Sequence, residues 1–150
     1  MEVFKICKEE YSGSLKSSGS ANRWNLRGQN VIYAGSTRSL STLELFVRRS
    51  SIVPFNNYKV VVISIADDNY LFKQIHINEL AENWRTLAAY STLQEIGSKW
   101  YISQGSLILK VPSAVIPYEY NYIINTEHPD FTKCVHIAWV EDHFWDNRLF

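Results

Sequence analysis

The run Tyr58 to Ile65, YKVVVISI, is the strongest strand signal in this chain, because β-branched residues pack well on a pleated, partly buried surface. It has company at irregular intervals. Val3 to Cys7, Val31 to Ala34, Leu107 to Val111, Asn121 to Asn125 and Cys134 to Val140 are short apolar runs of the same kind. Pro112 stops one of them, since proline has no N–H to give to a ladder. Helical patterns stand between the strands, from about Ser39 to Arg49, from Asn78 to Trp84, and from a start near Thr92. Helices and strands intermingle without a regular βαβ period, which predicts an α+β fold rather than a doubly wound one.

Local signals sharpen this outline. Gly35-Ser36-Thr37 ends the second strand and offers a helix cap. On the helix that follows, Leu40, Leu43 and Val47 share one face at three- and four-residue spacing. Glu44 then sits at the margin of that apolar stripe. Thr92-x-x-Glu95 has the form of a capping box and opens a short helix ending near Gly97. Residues 12–22, SGSLKSSGSAN, are rich in Ser and Gly and predict a mobile loop. Arg27-Gly28 marks a turn. With no repeat and no dividing linker, residues 1–150 read as one domain.

Composition removes several function classes. At 46% hydrophobic and 20% charged, the chain is that of an ordinary globular protein. Fifteen basic residues cancel fifteen acidic ones, and no basic run exceeds Arg48-Arg49, which argues against nucleic-acid binding. No apolar stretch reaches the ~20 residues of a membrane span, and MEVFKICKEE lacks the apolar core of a signal peptide. Cys7 and Cys134 form no CxxC pair, so a zinc site of usual spacing is absent and a cytoplasmic protein with reduced thiols is expected. His76, His128, His136 and His143 lack compact metal-ligand spacing; no metal is expected.

The chemistry must come from scattered residues, because GxGxxG, GxxxxGK[ST], GxSxG and HExxH do not occur. Arg23-Trp24-Asn25 follows the flexible loop. A guanidinium there can hold a phosphate bidentately beside an indole wall, or it can stack on a structural Trp. Tyr33, on an apolar strand, either stacks on an aromatic ligand or fills the core. Glu44, bordering an apolar face, either is solvated as most helical glutamates are or points to a cleft or a partner. Ser113, fixed directly after Pro112, has no adjacent histidine to activate it, so a hydrogen-bonding role fits better than a nucleophilic one. Five Trp, nine Tyr and seven Phe are enough to build a core or to line a cleft; Trp139, Phe144 and Trp145 either meet a partner or belong to the core.

Taken together, these pieces resemble the RES-domain family. Arg23-Trp24-Asn25 with Gly28 is similar to its RWNxxG, and Ile32-Tyr33-Ala34 with Leu43-Glu44 to its strand-and-helix block. Ile96-Gly97-Ser98-Lys99-Trp100 resembles iGdxW, and Leu109 to Val115 resembles LxVPSAV. Asn121 to Asn125 with His128-Pro129-Asp130-Phe131 resembles NyliNPxHPdf, and Asp146-x-Arg148-Leu149 the closing DxRL. The chain departs from the pattern at Ser20-Ala21-Asn22, where a Gly pair is usual, and at Thr126, where Pro is usual.

The resemblance implies an ADP-ribosyltransferase-like fold with a split mixed β-sheet, flanking short helices and NAD⁺ in its cleft. It implies a toxin of a toxin–antitoxin pair that arrests growth by cleaving the nicotinamide–ribose bond of NAD⁺, as glycohydrolase or phosphorylase. The rival readings are transfer of ADP-ribose to a protein, and a binding module that has kept the fold without activity. The implied partner is an Xre-like helix-turn-helix antitoxin, in a hetero-oligomer with it or beside a homo-oligomer. By carry-over the catalytic residues are Arg23, Tyr33, Glu44 and Ser113, and those lining the NAD⁺ site are Arg23, Trp24, Asn25, Tyr33 and Asn125.

Overall fold

Strands buried on both faces are what assemble this chain. A computed structural model describes residues 1–48 and 57–149. In it seven strands form one sheet: β1 (Glu2–Lys8), β2 (Val31–Gly35), β3 (Tyr58–Ile65), β4 (Phe72–Gln74), β5 (Ile108–Pro112), β6 (Tyr120–Asn125) and β7 (Val135–Asp142). Their order is β4-β5-β6-β2-β1-β3-β7. Every pairing is antiparallel except β4 with β5, so the sheet is mixed and the α+β expectation agrees with it. The β4 strand was not legible in the sequence, being three residues long.

The sheet has a weak seam. β1 and β2 meet at a single pair, Phe4 opposite Gly35, whereas β1 pairs with β3, and β2 with β6, along their lengths. Two half-sheets, β4-β5-β6-β2 and β1-β3-β7, are thus joined at one point. Because side chains alternate across a strand, the two faces carry different cores. One face holds Val3, Ile32, Ala34, Val61, Ile63, Ile108 and Ile124. The opposite face carries two separate clusters. One is Val31, Leu109, Val111 and Ile123 beneath Leu93 and Trp100. The other is Phe4, Ile6, Val60 and Val62 beneath Leu45. Each helix therefore covers one half-sheet.

Glycine decides how closely the two helices approach. Helix α1 (Arg38–Arg48) starts where Thr37 Oγ1 accepts the Leu40 N–H at 3.0 Å, as a capping residue should; the expected end at Arg49 lies outside the described residues. A Cβ on Gly35 would overlap the Ser41 hydroxyl and lie 3.1 Å from its backbone nitrogen. Ser41 fills that space and donates to the Phe4 carbonyl at 2.7 Å. This contact rotates the helix relative to the pattern read from sequence. Leu40, Ser41 and Leu45 are buried, while Leu43 and Val47 face outward. At roughly 100° per residue, Glu44 projects between Leu40 and Ser41. It stands within the arc facing the sheet and not at its margin.

Helix α2 (Tyr90–Ser103) corrects a second expectation. Thr92 lies inside it and caps nothing, and Gly97 sits mid-helix, buried, instead of ending it. A Cβ there would overlap the Trp24 carbonyl oxygen and come within 2.7 Å of the carbonyl carbon. Tertiary contact, not local propensity, sets this position. The Asn78–Trp84 region forms only a 3₁₀ turn at Ile77–Glu79, closed by the His76 N–H donating to Glu79 Oε2 at 2.6 Å. Helix α3 (Phe131–Cys134) is a single turn. The Ser/Gly-rich loop is irregular, yet its second half is tied: Gly28 N–H donates to Gly19 O at 2.8 Å and Gln94 Nε2 to Asn22 O at 2.9 Å. Among the described residues no helix is long and apolar enough to cross a membrane.

Behind α1, His143 packs against Trp145 with ring centroids 4.5 Å apart and places Nε2 3.0 Å from Thr42 Oγ1. That hydroxyl gives its own proton to Arg38 O at 2.8 Å, so Nε2 carries the imidazole proton. Nδ1 is left buried without a partner among the described residues, and burial pushes the imidazole pKa down.

Two predictions follow from this packing. Gly97→Ala gains up to about 1 kcal/mol of helix propensity but drives a methyl into a backbone carbonyl, a strain of about 1–3 kcal/mol or more. The net result is a lower urea midpoint, while Gly13→Ala, which meets nothing within 4 Å, leaves it unchanged. The folded pKa of His143 lies below that of the unfolded chain, so the unfolded state takes up the proton first. Stability is full above the ordinary value of about 6.5 and is lost as pH falls through the folded pKa. Urea titrations from about pH 7.5 to 5.5 will show that decline, and His143→Gln will flatten it; Glu141, held down to about 2 by Arg38, titrates well below this window.

Candidate functional site

The face of the sheet that carries the two helices also carries the polar residues. Tyr33 and Gly35 lie on it in β2, and Asn121 lies on it in β6 opposite Gly35 and Val111. Tyr33 pairs with Ile123, which places Asn121 on its diagonal, about 7–8 Å away by sheet geometry. Beside them α1 sets down Glu44.

The Glu44 carboxylate is gripped on one oxygen. Ser113 Oγ donates to Oε1 at 2.8 Å and Asn121 Nδ2 to the same oxygen at 2.6 Å. Ser113 Oγ itself accepts the backbone N–H groups of Val115 at 3.0 Å and Ile116 at 3.1 Å. Two acceptor positions filled on a hydroxyl leave its proton only one use, here toward Glu44. Ser113 is therefore an orienting donor, buried behind the carboxylate, and not a nucleophile. Glu44 Oε2 has no hydrogen-bond partner among the described residues.

Tyr33 is the second fixed group. Its hydroxyl accepts the Trp24 N–H at 3.0 Å and donates to Asn25 Oδ1 at 2.7 Å. Burial is the main cause that raises its pKa far above the ordinary phenol value. The Trp24 N–H and the positive charges of Arg48 and Arg23 act against burial, and the phenol stays protonated at physiological pH. Two guanidinium groups act electrostatically on this hydroxyl, Arg48 from α1 and Arg23 from the turn before β2. Arg23 Nη1 donates to the carbonyls of Trp84 at 3.2 Å and Arg85 at 3.1 Å, and its guanidinium lies over the Tyr90 ring, 4.7 Å from the centroid. Among the described residues neither Arg23 nor Arg48 is paired with a carboxylate. Two positive charges without a carboxylate partner and a carboxylate oxygen without a donor, all among the described residues, suit a ligand with anionic and hydroxyl groups.

The remaining sequence candidates sit elsewhere. Trp24 is buried in the core under α2, where its indole cannot wall an open cleft. Asn25 is fully engaged: besides Tyr33, its Nδ2 donates to Ser20 O at 2.9 Å and Leu26 O at 3.0 Å. Both serve by holding Arg23 and Tyr33 in place. Asn125 pairs with Val31, four residues along β6 from Asn121, about 13 Å away at strand rise. There its amide ties Tyr101 O and the Glu127 N–H into a buried corner, apart from the carboxylate. Asn121 was missed among the candidates; the signal for it was its place at the head of a strand whose next inward residue, Ile123, faces Tyr33. Of the aromatics left open by the sequence, Trp145 is buried, and Trp139 and Phe144 are exposed.

Replacing Tyr33 by Phe removes the partner of a buried Asn25 oxygen and of the Trp24 N–H. Such orphaned groups cost about 1–3 kcal/mol, so Tyr33→Phe is expected to lower the urea-unfolding free energy by that amount. A change below about 0.5 kcal/mol would show that these bonds do not hold the turn.

Comparison with known proteins gives a consistent result. The profile of the RES domain matches residues 4–146. A protein of Yersinia enterocolitica named Toxin Res is 31% identical over 153 residues, spanning 99% of each chain. A Prs ADP-ribosylating toxin of a Sphingobium species is 33% identical over 132 residues, covering 87% of this chain and 81% of its own. Among solved structures, the M. tuberculosis MbcT–MbcA toxin–antitoxin complex contains a chain similar in fold, with a TM-score of 0.73 at 13% identity over 95% of this chain and 83% of that one.

Proposed function

This chain belongs to the RES domain family, and on that premise we propose that it is a toxin enzyme that cleaves the nicotinamide–ribose bond of NAD⁺, with growth arrest as the consequence. The observation that carries the reading is the Glu44 carboxylate, held by Ser113 and Asn121 on one oxygen and without a donor on the other among the described residues. The bond it would act on breaks with positive charge building on the ribose, as in glycoside hydrolysis.

The residues fit that task. The leaving nicotinamide departs as a neutral base, so no strong general acid is required. What is required is a fixed negative charge at the developing cation. Glu44 supplies it, with Oε2 available to ribose hydroxyls or to the cation itself, in a setting of preorganised donors that need no rearrangement. Arg23 holds the diphosphate side, and the unpaired charge of Arg48 adds to the field there. Tyr33, kept neutral by burial, borders the nicotinamide end, its ring orientation set by Asn25 and the Trp24 N–H. Ser113 acts through Glu44 and touches the substrate only secondarily.

The acceptor is water or phosphate on this reading. A second reading is transfer of ADP-ribose to a protein, favoured by the Sphingobium relative, whose name states that it is an ADP-ribosylating toxin. Product analysis separates the three. Free ADP-ribose marks hydrolysis, a phosphorylated sugar product that needs added phosphate marks phosphorolysis, and labelled protein in a lysate marks transfer. The partner on this reading is a protein antitoxin, in keeping with a fold neighbour that comes from a toxin–antitoxin complex; the Xre helix-turn-helix type is what the family resemblance implies.

Glu44→Gln is the decisive variant. The amide oxygen still accepts from Ser113 and Asn121, so the fold persists, but the charge is gone. Turnover of NAD⁺ is expected to fall by about two orders of magnitude or more with an unchanged melting temperature. Equal turnover in the two purified proteins would remove Glu44 from the reaction.

A further inference from the structure

We infer that Asn121 is a positioning residue that, together with Ser113, selects which oxygen of the Glu44 carboxylate is presented to the substrate; the inference rests on the NAD⁺-cleaving reading above. A glutamate carboxylate turns about its last bond with a broad, roughly two-fold preference, so its two oxygens are equivalent unless something tells them apart. Here both donors fall on Oε1, Ser113 Oγ at 2.8 Å and Asn121 Nδ2 at 2.6 Å. One donor would tether the group. Two donors, one directly after β5 and one on β6, hold it from two directions and leave Oε2 as the oxygen without a donor among the described residues.

Neither donor can relax easily. Asn121 is paired on both sides, with Gly35 in β2 and Val111 in β5, so its Cα cannot move without disturbing three strands. Ser113 is held by Val115 and Ile116 at its hydroxyl and by its own N–H on Glu119 O at 2.8 Å. The chemistry of the donors matters as much as their placement. An arginine or lysine in place of Asn121 would also orient the carboxylate, but it would cancel the charge that the ribose cation needs. A neutral amide and a hydroxyl orient without neutralising. Asn121 does not need to touch the substrate; it acts through Glu44.

The test uses the purified chain in three measurements. In Asn121→Leu, kcat for NAD⁺ should fall about 10- to 100-fold with KM changed less than about threefold, the pattern of a lost transition-state interaction. Asn121→Asp is almost the same size but replaces the donor with a like charge. Two adjacent carboxylates resist ionising together, so the acid limb of its rate profile should move up by about one pH unit, which a purely structural role would not cause. Independently of activity, the side-chain amide resonances of ¹⁵N-labelled Asn121 should shift in Glu44→Ala. An unchanged kcat in Asn121→Leu with an unmoved acid limb in Asn121→Asp overturns the inference, as do amide resonances indifferent to Glu44. A parent protein that leaves NAD⁺ intact overturns the functional reading instead, while the resonances still decide whether the Asn121–Glu44 link exists.

Discussion

The close approach at Gly35 is the constraint from which the rest of the architecture follows. The sheet is continuous across its middle only through the Phe4–Gly35 pair. Any side chain at Gly35 would occupy the volume of Ser41. With none there, α1 settles directly over the seam, and Ser41 donates to the carbonyl of Phe4, the residue paired with that glycine. The helix then carries Glu44, three residues on, across toward β5 and β6. The carboxylate bonded to Ser113 and Asn121 closes on the far side what the single strand pair leaves open. A packing requirement and a chemical requirement are met by the same contact. Gly97 plays the matching part for α2, pressing it on the backbone of Trp24 and so steadying the turn that bears Arg23.

The electrostatics of the site are set by what is left unpaired. Elsewhere on the surface positive charges find acids: Arg38 with Glu141, Lys59 with Asp142, Lys99 with Glu95. Exposed pairs of that kind contribute little to stability, but they silence the charges involved. Arg23 and Arg48 are not silenced in this way among the described residues, and Glu44 keeps one oxygen free of donors. Buried Tyr33 stays protonated under the field of both guanidinium groups and adds no charge of its own. Groups of both signs of charge are thus left unspent among the described residues. A ligand with phosphates at one end and sugar hydroxyls next to a cationic ring answers that distribution. A fold shared at 13% identity with a toxin from M. tuberculosis fits this picture, since sheet order and helix placement rest on burial patterns that many sequences satisfy.

Much of this was legible in one dimension. Six of the seven strands were visible as apolar runs, because a strand buried on both faces needs no partner to reveal its composition. The α+β class was legible from the irregular order of elements. Arg23, Tyr33, Glu44 and Ser113 were singled out by their local settings and by the spacing of the RES-like motifs. Less was legible where a distant contact overrules a local signal. The rotation of α1 escaped the pattern, since Leu43 and Val47 look like core residues until Ser41 is seen against Gly35. Thr92 looked like a cap and Gly97 like a stop, because the carbonyl of Trp24, which makes the glycine necessary, is far away in sequence. Trp24 and Asn25 looked like ligand contacts and are buried supports; Asn125 belongs to a corner at the other end of β6.

Composition and periodicity, then, fixed which segments are strands and which residues carry charge, since those depend only on neighbours a few positions away. What the fold alone decided is which groups meet. Asn121 and Glu44 are 77 positions apart, and no periodicity reaches that far. Their encounter depends on strand register, on a missing methyl at Gly35 and on the rotation of one helix, and each of these is settled only when the whole sheet has closed.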